Sequence, residues 1–407
     1  MQSIAEPGER RIGLLWTMFG AYFTFGSVLN VVGVVIPILI RQHHLTMFAG
    51  GLLPFAFFIS FGIFSIPAGI LADRIGTKPV VTGGTILMGI GCGAIPWADS
   101  FLSITICAFV VGSGVAFLQT AGNPMIGYLD RKENYHRNLT LTIGFCGIGA
   151  FVAPLMLSAL VAHGEPWQRL YAGYAAFCGV LALLMLASRF PQTRSSEADK
   201  VRIREVLRLL GHPLSITYFF AVFFYVGAEV GTASWIVKFF QQVHQLSSET
   251  VGTGIHTSIL RSLPALPVLT VSLFWGLQGV GRLTSAPGIR KLGPRWMLRI
   301  YSVGAIASLL VADFAPWTVV SATGFICCGF FTSVLITLLF SGAIQSFKQS
   351  QGAISGLLVS ASIGGAILPP LVGLTADHLG LRLAMLIPVL AFGYVFLVAF
   401  AGKANYE

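Results

Sequence analysis

The sequence predicts an all-α membrane protein with twelve transmembrane helices arranged as two parallel six-helix repeats. Three observations indicate this class: an apolar composition, hydrophobic runs of about 20 residues, and motifs that recur at a nearly constant interval. Of the 407 residues, 55% are hydrophobic and 10% are charged, and the mean hydropathy is +0.81. Soluble domains carry about 25% charged residues, so the composition excludes a water-soluble globular protein.

The hydrophobic runs divide the chain into spans. Backbone groups in lipid must bond internally, which leaves helices or closed barrels, and these runs are too long for barrel strands. The predicted spans are 12–40, 48–72, 79–98, 101–129, 138–162, 167–190, 213–241, 263–286, 296–314, 317–346, 350–374 and 381–401. Residues 1–190 are expected to form one bundle and residues 213–407 the other. Residues 191–212 are expected to form a basic linker on the cytoplasmic membrane surface.

The basic residues predict the orientation. With the N-terminus inside, 20 of the 25 Lys and Arg residues face the cytoplasm, which is the asymmetry of the positive-inside rule. Both termini are therefore expected to be cytoplasmic. This topology also explains the net charge of +10 without a nucleic-acid partner. The six cysteines lie inside apolar runs without metal-ligand spacing, which argues against disulfides and a metal site.

Two motifs recur between the halves of the chain. Asp73 to Lys78 has a counterpart in Arg290 to Arg295, 217 positions later. Gly147-Ile148-Gly149, with Pro154, has a counterpart in Ser362-Ile363-Gly364, with Pro369, 215 positions later. Two matches at nearly one offset predict parallel repeats with a substrate site at midplane between them. The extra length falls in 242–266, which is either an external lid or a passive loop.

One acid stands out at bilayer depth, where ionisable side chains are costly and mark functional sites. Glu229 lies midway through span seven, between Tyr225 and Trp235. Because desolvation favours the neutral carboxyl group, Glu229 could take up and release a proton as the cavity changes sides. The alternative is a structural Glu that bonds across helices.

Amide and aromatic residues complete the predicted substrate site. Asn30 lies in span one, and Gln119 and Asn123 lie four residues apart on one face of span four. Uncharged donors and acceptors suit a neutral, hydroxyl-rich ligand such as a sugar, although such amides also link helices. Tyr225 and Trp235 would offer surfaces for a sugar ring, although an interfacial belt also explains Trp235.

The loop after span two carries the first family resemblance. Gly69-Ile70-Leu71-Ala72-Asp73-Arg74-Ile75-Gly76-Thr77-Lys78 resembles the signature loop of the major facilitator superfamily of transporters. The resemblance implies the major facilitator fold and a gating role for the loop at the cytoplasmic side. The predicted gating residues are Gly69, Asp73, Arg74, Gly76, Lys78 and, as a partner in the other half, Arg282. The alternatives are a solvated turn and a lipid-phosphate contact.

A second resemblance narrows the branch. Leu118-Gln119-Thr120-Ala121-Gly122-Asn123-Pro124 is similar to a Leu-Glu-Thr-Ala-Ala-Asn-Pro segment of the fucose:proton symporter family, which also contains glucose and galactose transporters. The chain departs from the fucose transporter in lacking two acids, since it has Gln119 in place of Glu and Val31 in place of Asp. These departures leave Glu229 as the main candidate for proton coupling and leave sodium coupling or uncoupled transport open.

Together these features predict a monomeric transporter in the cell membrane, expected to be a bacterial inner membrane. It would contact lipids and take up a small neutral solute, a monosaccharide above all, by alternating access with proton coupling. A drug or lipid exporter and a non-transporting nutrient sensor are the rival interpretations. No phosphate-binding loop or nucleophile triad occurs, so an enzyme or ATP-driven pump is not expected, and neither is a cofactor.

Overall fold

The computed structural model describes residues 12–126, 129, 135–190, 208–246, 266–347 and 350–401. Most of the predicted linker and residues 247–265 of the predicted lid or loop lie outside these ranges. The described part is helical almost throughout. Because the spans are apolar and of bilayer length, each satisfies its backbone hydrogen bonds internally, as a lipid environment requires.

Twelve spans follow one another within the described residues. Spans one to six are Ile12–Asn30 with Val32–His43, Met47–Ile75, Thr77–Ala94, Phe101–Ile126, Tyr135–Ala162 and Gln168–Ala187. Span seven is Pro213–Val243, and spans eight and nine form one continuous assignment, Leu266–Phe314, broken at Gly293. Span ten comprises Thr318–Thr332 and Leu335–Ser346, span eleven Gln351–Ser360 and Gly364–Leu379, and span twelve Leu381–Ala384 and Leu386–Phe400.

The observed helices match the predicted spans closely, and the fold class is confirmed. In the described part, 11 helical segments have the length and composition to cross a membrane, and predicted span eight corresponds to the first part of the helix that breaks at Gly293. The prediction ended span eleven too early, since its helix continues to Leu379. Thr375, Asp377 and His378 gave that end a polar sequence, but the helix still forms there.

Three spans are interrupted near their middle. Span one breaks at Val31, span ten at Ser333 and Val334, and span eleven passes through a 3₁₀ turn at Ala361–Ile363. Main-chain carbonyl groups at such breaks lose their helical partners and become available to side chains. Broken helices therefore supply polar atoms at a depth where lipid offers none.

The two halves repeat a capping contact. Lys78, at the start of span three, donates through Nζ to the carbonyl oxygens of Leu186 and Ser188, both at 2.8 Å, at the end of span six. Arg299, at the start of span nine, donates through Nε to the carbonyl oxygen of Ala399 at 3.1 Å, at the end of span twelve. A cation at a helix C-terminus is favourable because carbonyl groups there lack partners.

The halves pack mainly along two pairs of helices, span two on span eleven and span five on span eight, with a smaller contact between spans one and seven. We call the end of the bundle that carries Arg74, Lys78, Arg290 and Lys291 the basic face. The other end, where Thr46 begins span two, is the opposite face.

Spans two and eleven approach one another most closely toward the opposite face. A Cβ atom built on Gly51 would lie 2.6 Å from Cα of Pro370, and one on Gly373 would collide with the carbonyl oxygen of Met47. Span one of the first half packs against span seven of the second half toward the same face, where Gly33 lies against the carbonyl oxygen of Ala233. The halves are therefore closed together at the opposite face.

Candidate functional site between the two halves

Glu229 lies on span seven at the centre of a buried hydrogen-bond network. The hydroxyl group of Tyr225, one helical turn earlier, donates to Oε1 of Glu229 at 2.5 Å and lies 3.0 Å from the carbonyl oxygen of Thr332. Nε2 of Gln278, on span eight, donates to the same carboxylate oxygen. Glu229 is 8% exposed, so this carboxyl group is almost removed from solvent while its Oε1 atom accepts two hydrogen bonds.

Arg282 extends the network along span eight. Its Nε atom donates to the carbonyl oxygen of Ser333 at 3.1 Å, and its guanidinium group lies near the side chains of Tyr225 and Glu229. The break of span ten frees the carbonyl groups of Thr332 and Ser333 to receive these contacts. The interruption of one helix thus fixes the side chains of two others.

The cavity next to this network is formed by both halves. Spans one and two line it from the first half, and spans seven and eight line it from the second. Its empty space of about 290 Å³ includes open solvent, so the enclosed part is much smaller. Its lining residues are Leu29, Asn30, Val32, Gly33, Pro54, Phe58, Val230, Ala233, Ser234 and Trp275.

Polar atoms reach this cavity from both sides. Asn30 ends the first helix of span one, and its Nδ2 atom donates to the carbonyl oxygen of Gly26 at 2.7 Å, which leaves the amide oxygen for another donor. Across the seam, Trp275 is 7% exposed, and its indole N–H has no hydrogen-bond acceptor among the described residues. An unpaired buried donor costs about 1 to 3 kcal/mol, so a ligand oxygen bonded to Trp275 would remove that cost.

The amides of span four occupy a separate position. The hydroxyl group of Tyr22 donates to Oδ1 of Asn123 at 2.5 Å and thereby joins spans one and four. Gln119 is only partly buried and makes no hydrogen bond with any described residue. Neither amide bonds to Glu229 in this structure. The structure therefore groups Glu229 with Tyr225 and places the span-four amides apart from them.

Trp235 lies inside the second half. Its side chain is fully buried, and its indole N–H donates to the carbonyl oxygen of Pro369 at 3.0 Å. This bond joins span seven to span eleven. The predicted contact between Trp235 and substrate stays a prediction, but the indole N–H is already occupied.

The predicted gating loop lies at the basic face. Gly76 has φ 91° and ψ 163°, which a residue with a side chain rarely adopts, and its glycine permits the sharp turn from span two to span three. Asp73 and Arg74 are exposed, and Lys78 bonds within its own half. Gly69 approaches Thr120 of span four, also in the first half. Arg282 bonds to the carbonyl oxygen of Ser333, and its gating role stays a prediction.

Sequence reasoning missed Trp275 and Gln278 in this region, and it gave Arg282 a gating role instead of a place beside Glu229. Trp275, Gln278 and Arg282 follow one another at intervals of three and four, so they share one face of span eight. The spacing argument used for Gln119 and Asn123 would have found them. Glu229 is also not the sole buried acid, since Asp313 near the end of span nine is fully buried and has no hydrogen-bond partner among the described residues.

Comparison with known proteins places this geometry in context. Residues 18–276, more than half of the chain, match the Major Facilitator Superfamily. A glucose/galactose transporter of Brucella abortus is 29% identical over 94% of this chain and 92% of its own length. The L-fucose-proton symporter of Escherichia coli is 25% identical over 93% of this chain and 90% of its own length.

A solved structure shares the same architecture. The crystal structure of the Escherichia coli fucose:proton symporter aligns with a TM-score of 0.66 at 22% sequence identity. The alignment covers 98% of this chain and 100% of that chain. At this identity the likeness concerns the fold.

Proposed function

Because the chain belongs to the Major Facilitator Superfamily, a family of transporters, we propose that it carries a monosaccharide across the membrane by alternating access. The expected resemblance to the superfamily and to its fucose symporter branch is confirmed. The observation that carries the proposal is the cavity between the halves, which Asn30 lines from the first half and Trp275 from the second, together with Val230, the neighbour of Glu229.

The chemistry of the cavity supports a neutral, hydroxyl-rich substrate. Asn30 and Ser234 offer uncharged donors and acceptors, and Trp275 offers an unpaired donor on an aromatic ring. An apolar drug or lipid would leave these polar groups unsatisfied. The relatives named as glucose/galactose and fucose transporters favour a hexose.

Glu229 is the proposed proton carrier. It lies at bilayer depth between the substrate cavity and the Tyr225, Gln278 and Arg282 side chains, where an ionisable group is costly unless it has a function. Protonation of Glu229 would turn one of its acceptor oxygens into an O–H donor and remove the negative charge. Its hydrogen bonds to Tyr225 and Gln278 would then weaken. Protonation would thus change the network that lines the path between the halves.

We propose that the basic face is cytoplasmic, because Lys and Arg residues concentrate there, and that the chain lies in a bacterial inner membrane as a monomer. Both termini would then lie in the cytoplasm. Closure at the opposite face corresponds to a state that opens inward. Asp73, Arg74 and Lys78, with Gly69 and Gly76, would hold the cytoplasmic side shut in the other state, with Arg282 as the candidate partner.

Counterflow in proteoliposomes tests the proposal. Vesicles loaded with unlabelled glucose, galactose or fucose should take up the labelled form of the transported sugar transiently, without any ion gradient. Repeating the assay with imposed proton and sodium gradients separates proton coupling, sodium coupling and uncoupled transport. Sugar binding without flux would indicate a sensor, and flux of apolar drugs without sugar counterflow would indicate an exporter.

A further inference from the structure

The loop motif after span two has a second copy that faces the other side of the bundle. Residues 69–78 read Gly-Ile-Leu-Ala-Asp-Arg-Ile-Gly-Thr-Lys, and residues 373–382 read Gly-Leu-Thr-Ala-Asp-His-Leu-Gly-Leu-Arg. The two glycines, the alanine and the aspartate keep their spacing, and a cation ends each copy. Span two descends to the basic face, whereas span eleven ends at the opposite face.

The two copies also share a backbone conformation. Gly76 has φ 91° and ψ 163°, and Gly380 has φ 83° and ψ 157°. Each glycine donates its N–H to the carbonyl oxygen four residues earlier, on Ala72 and Ala376, both at 3.0 Å. A shared sequence and a shared turn indicate that the second copy has the same mechanical design as the first.

The aspartate of the second copy spans the two halves. Oδ1 of Asp377 accepts the N–H of Met47 at 2.8 Å, and Oδ2 accepts the N–H of Phe48 at 2.9 Å. Met47 and Phe48 open span two in the first half, whereas Asp377 belongs to span eleven in the second half. A carboxylate at a helix N-terminus meets unpaired donors and the positive end of the helix dipole.

These bonds provide acceptors for the N–H groups at the start of span two. The first four N–H groups of a helix lack internal partners. Thr46 provides for the third and fourth, through Oγ1 to Ala49 at 3.2 Å and through its carbonyl oxygen to Gly50 at 3.1 Å. Asp377 provides for the first two, so the helix start is satisfied only while both halves meet at the opposite face.

In the first copy of the motif, the aspartate makes no bond between the two halves within the described part of the chain. Asp73 is exposed and accepts no hydrogen bond from a described residue. Span eleven begins near the basic face, and Ser350 before it forms no side-chain cap. In this structure one aspartate is bonded across the seam and its counterpart is not, which matches a bundle closed at one end.

We propose that Asp377 is the latch of the opposite face, and that its bonds to the start of span two stabilise the state that opens toward the basic face. When the halves separate at that face, the N–H groups of Met47 and Phe48 lose their acceptors on Asp377. The latch is therefore specific to one state, and its loss shifts the balance between states without touching the substrate cavity.

Spin-label distance measurements on the purified protein without substrate test the latch. Labels at Ser100→Cys in the first half and Trp317→Cys in the second report the separation at the opposite face, with the six native cysteines replaced. Asp377→Asn loses the charge and one acceptor atom. We expect the ratio of long to short distances to rise about tenfold, the effect of charge-assisted bonds at a helix terminus.

Asp99→Asn is the matched control, because Asp99 is another exposed acid at the opposite face and makes no hydrogen bond or ion pair with span two among the described residues. It should leave the distances unchanged. Gly373→Ala disrupts the same contact in a different way, because its Cβ atom would collide with the carbonyl oxygen of Met47. It should therefore also increase the fraction of long distances between the labels. Wild-type distances in both folded Asp377→Asn and Gly373→Ala, or an equal shift in Asp99→Asn, would overturn the latch. No readout uses a sugar, so failure of the sugar proposal would leave this result intact.

Discussion

Replacement of Glu229 by Gln tests the proton carrier most directly. The change keeps the volume of the side chain but removes the ionisable group at the centre of the network. Tyr225 and Gln278 both donate to Oε1 of Glu229, so both can still donate to the new amide oxygen in that position. Each bond loses its charged acceptor, which costs about 1 kcal/mol per bond. The variant should fold with a free energy of unfolding lowered by about 2 kcal/mol.

The effect on transport should be selective. With one proton per sugar, a gradient of one pH unit stores about 1.4 kcal/mol and sustains about tenfold accumulation. Wild-type proteoliposomes should approach that ratio. Glu229→Gln should equilibrate sugar without accumulating it, while sugar counterflow, which needs no net proton movement, persists.

Asp313→Asn provides the comparison. Asp313 is also a buried acid of the second half, but it lies near the end of span nine, away from the Tyr225 and Gln278 contacts. It should retain pH-driven accumulation. Tenfold accumulation by Glu229→Gln would refute the reasoning, and so would its loss in Asp313→Asn alone.

Two other substitutions separate substrate contacts from structural ones. Trp275→Phe keeps an aromatic ring but removes the unpaired N–H. The KM for sugar should therefore rise about fivefold to tenfold, with little change in maximal rate. Trp235→Phe instead removes a hydrogen bond inside the second half, so it should lower the Tm and change the KM less. An unchanged KM in Trp275→Phe would exclude its N–H from substrate binding. Lys78→Met removes two bonds to the carbonyl oxygens of Leu186 and Ser188 and should reduce stability by about 1 to 3 kcal/mol, measured by thermal unfolding in detergent; an unchanged Tm would show that water replaces those bonds.

The sequence predicted the fold well because bilayer length and hydropathy act on each span separately. Glu229 and Tyr225 were found because an acid at bilayer depth is conspicuous in an apolar run. Breaks were harder to predict. Span one breaks at Val31, where the sequence shows neither glycine nor proline, and span ten breaks at Ser333, where packing against Gly281 of span eight is close.

Partnerships between distant residues could not be predicted. Gln278 was hidden because a single amide in an apolar helix more often links helices than lines a site, and only the fold shows that it reaches Glu229. Asp377 was hidden for another reason. Its motif recurs 304 positions after the first copy, outside the repeat interval of the two halves, and its partners are main-chain groups that carry no sequence signal.

The break of span ten has a consequence for the transport cycle. Glu229, Tyr225, Gln278 and Arg282, together with the carbonyl groups that hold them, all belong to the second half. When the bundles rock, these residues can move together as one unit of the second half. The barrier to rocking would then arise from the contacts between the two halves. These contacts are the bonds of Asp377 to Met47 and Phe48 and the close packing at Gly51 and Gly373, all of which must break.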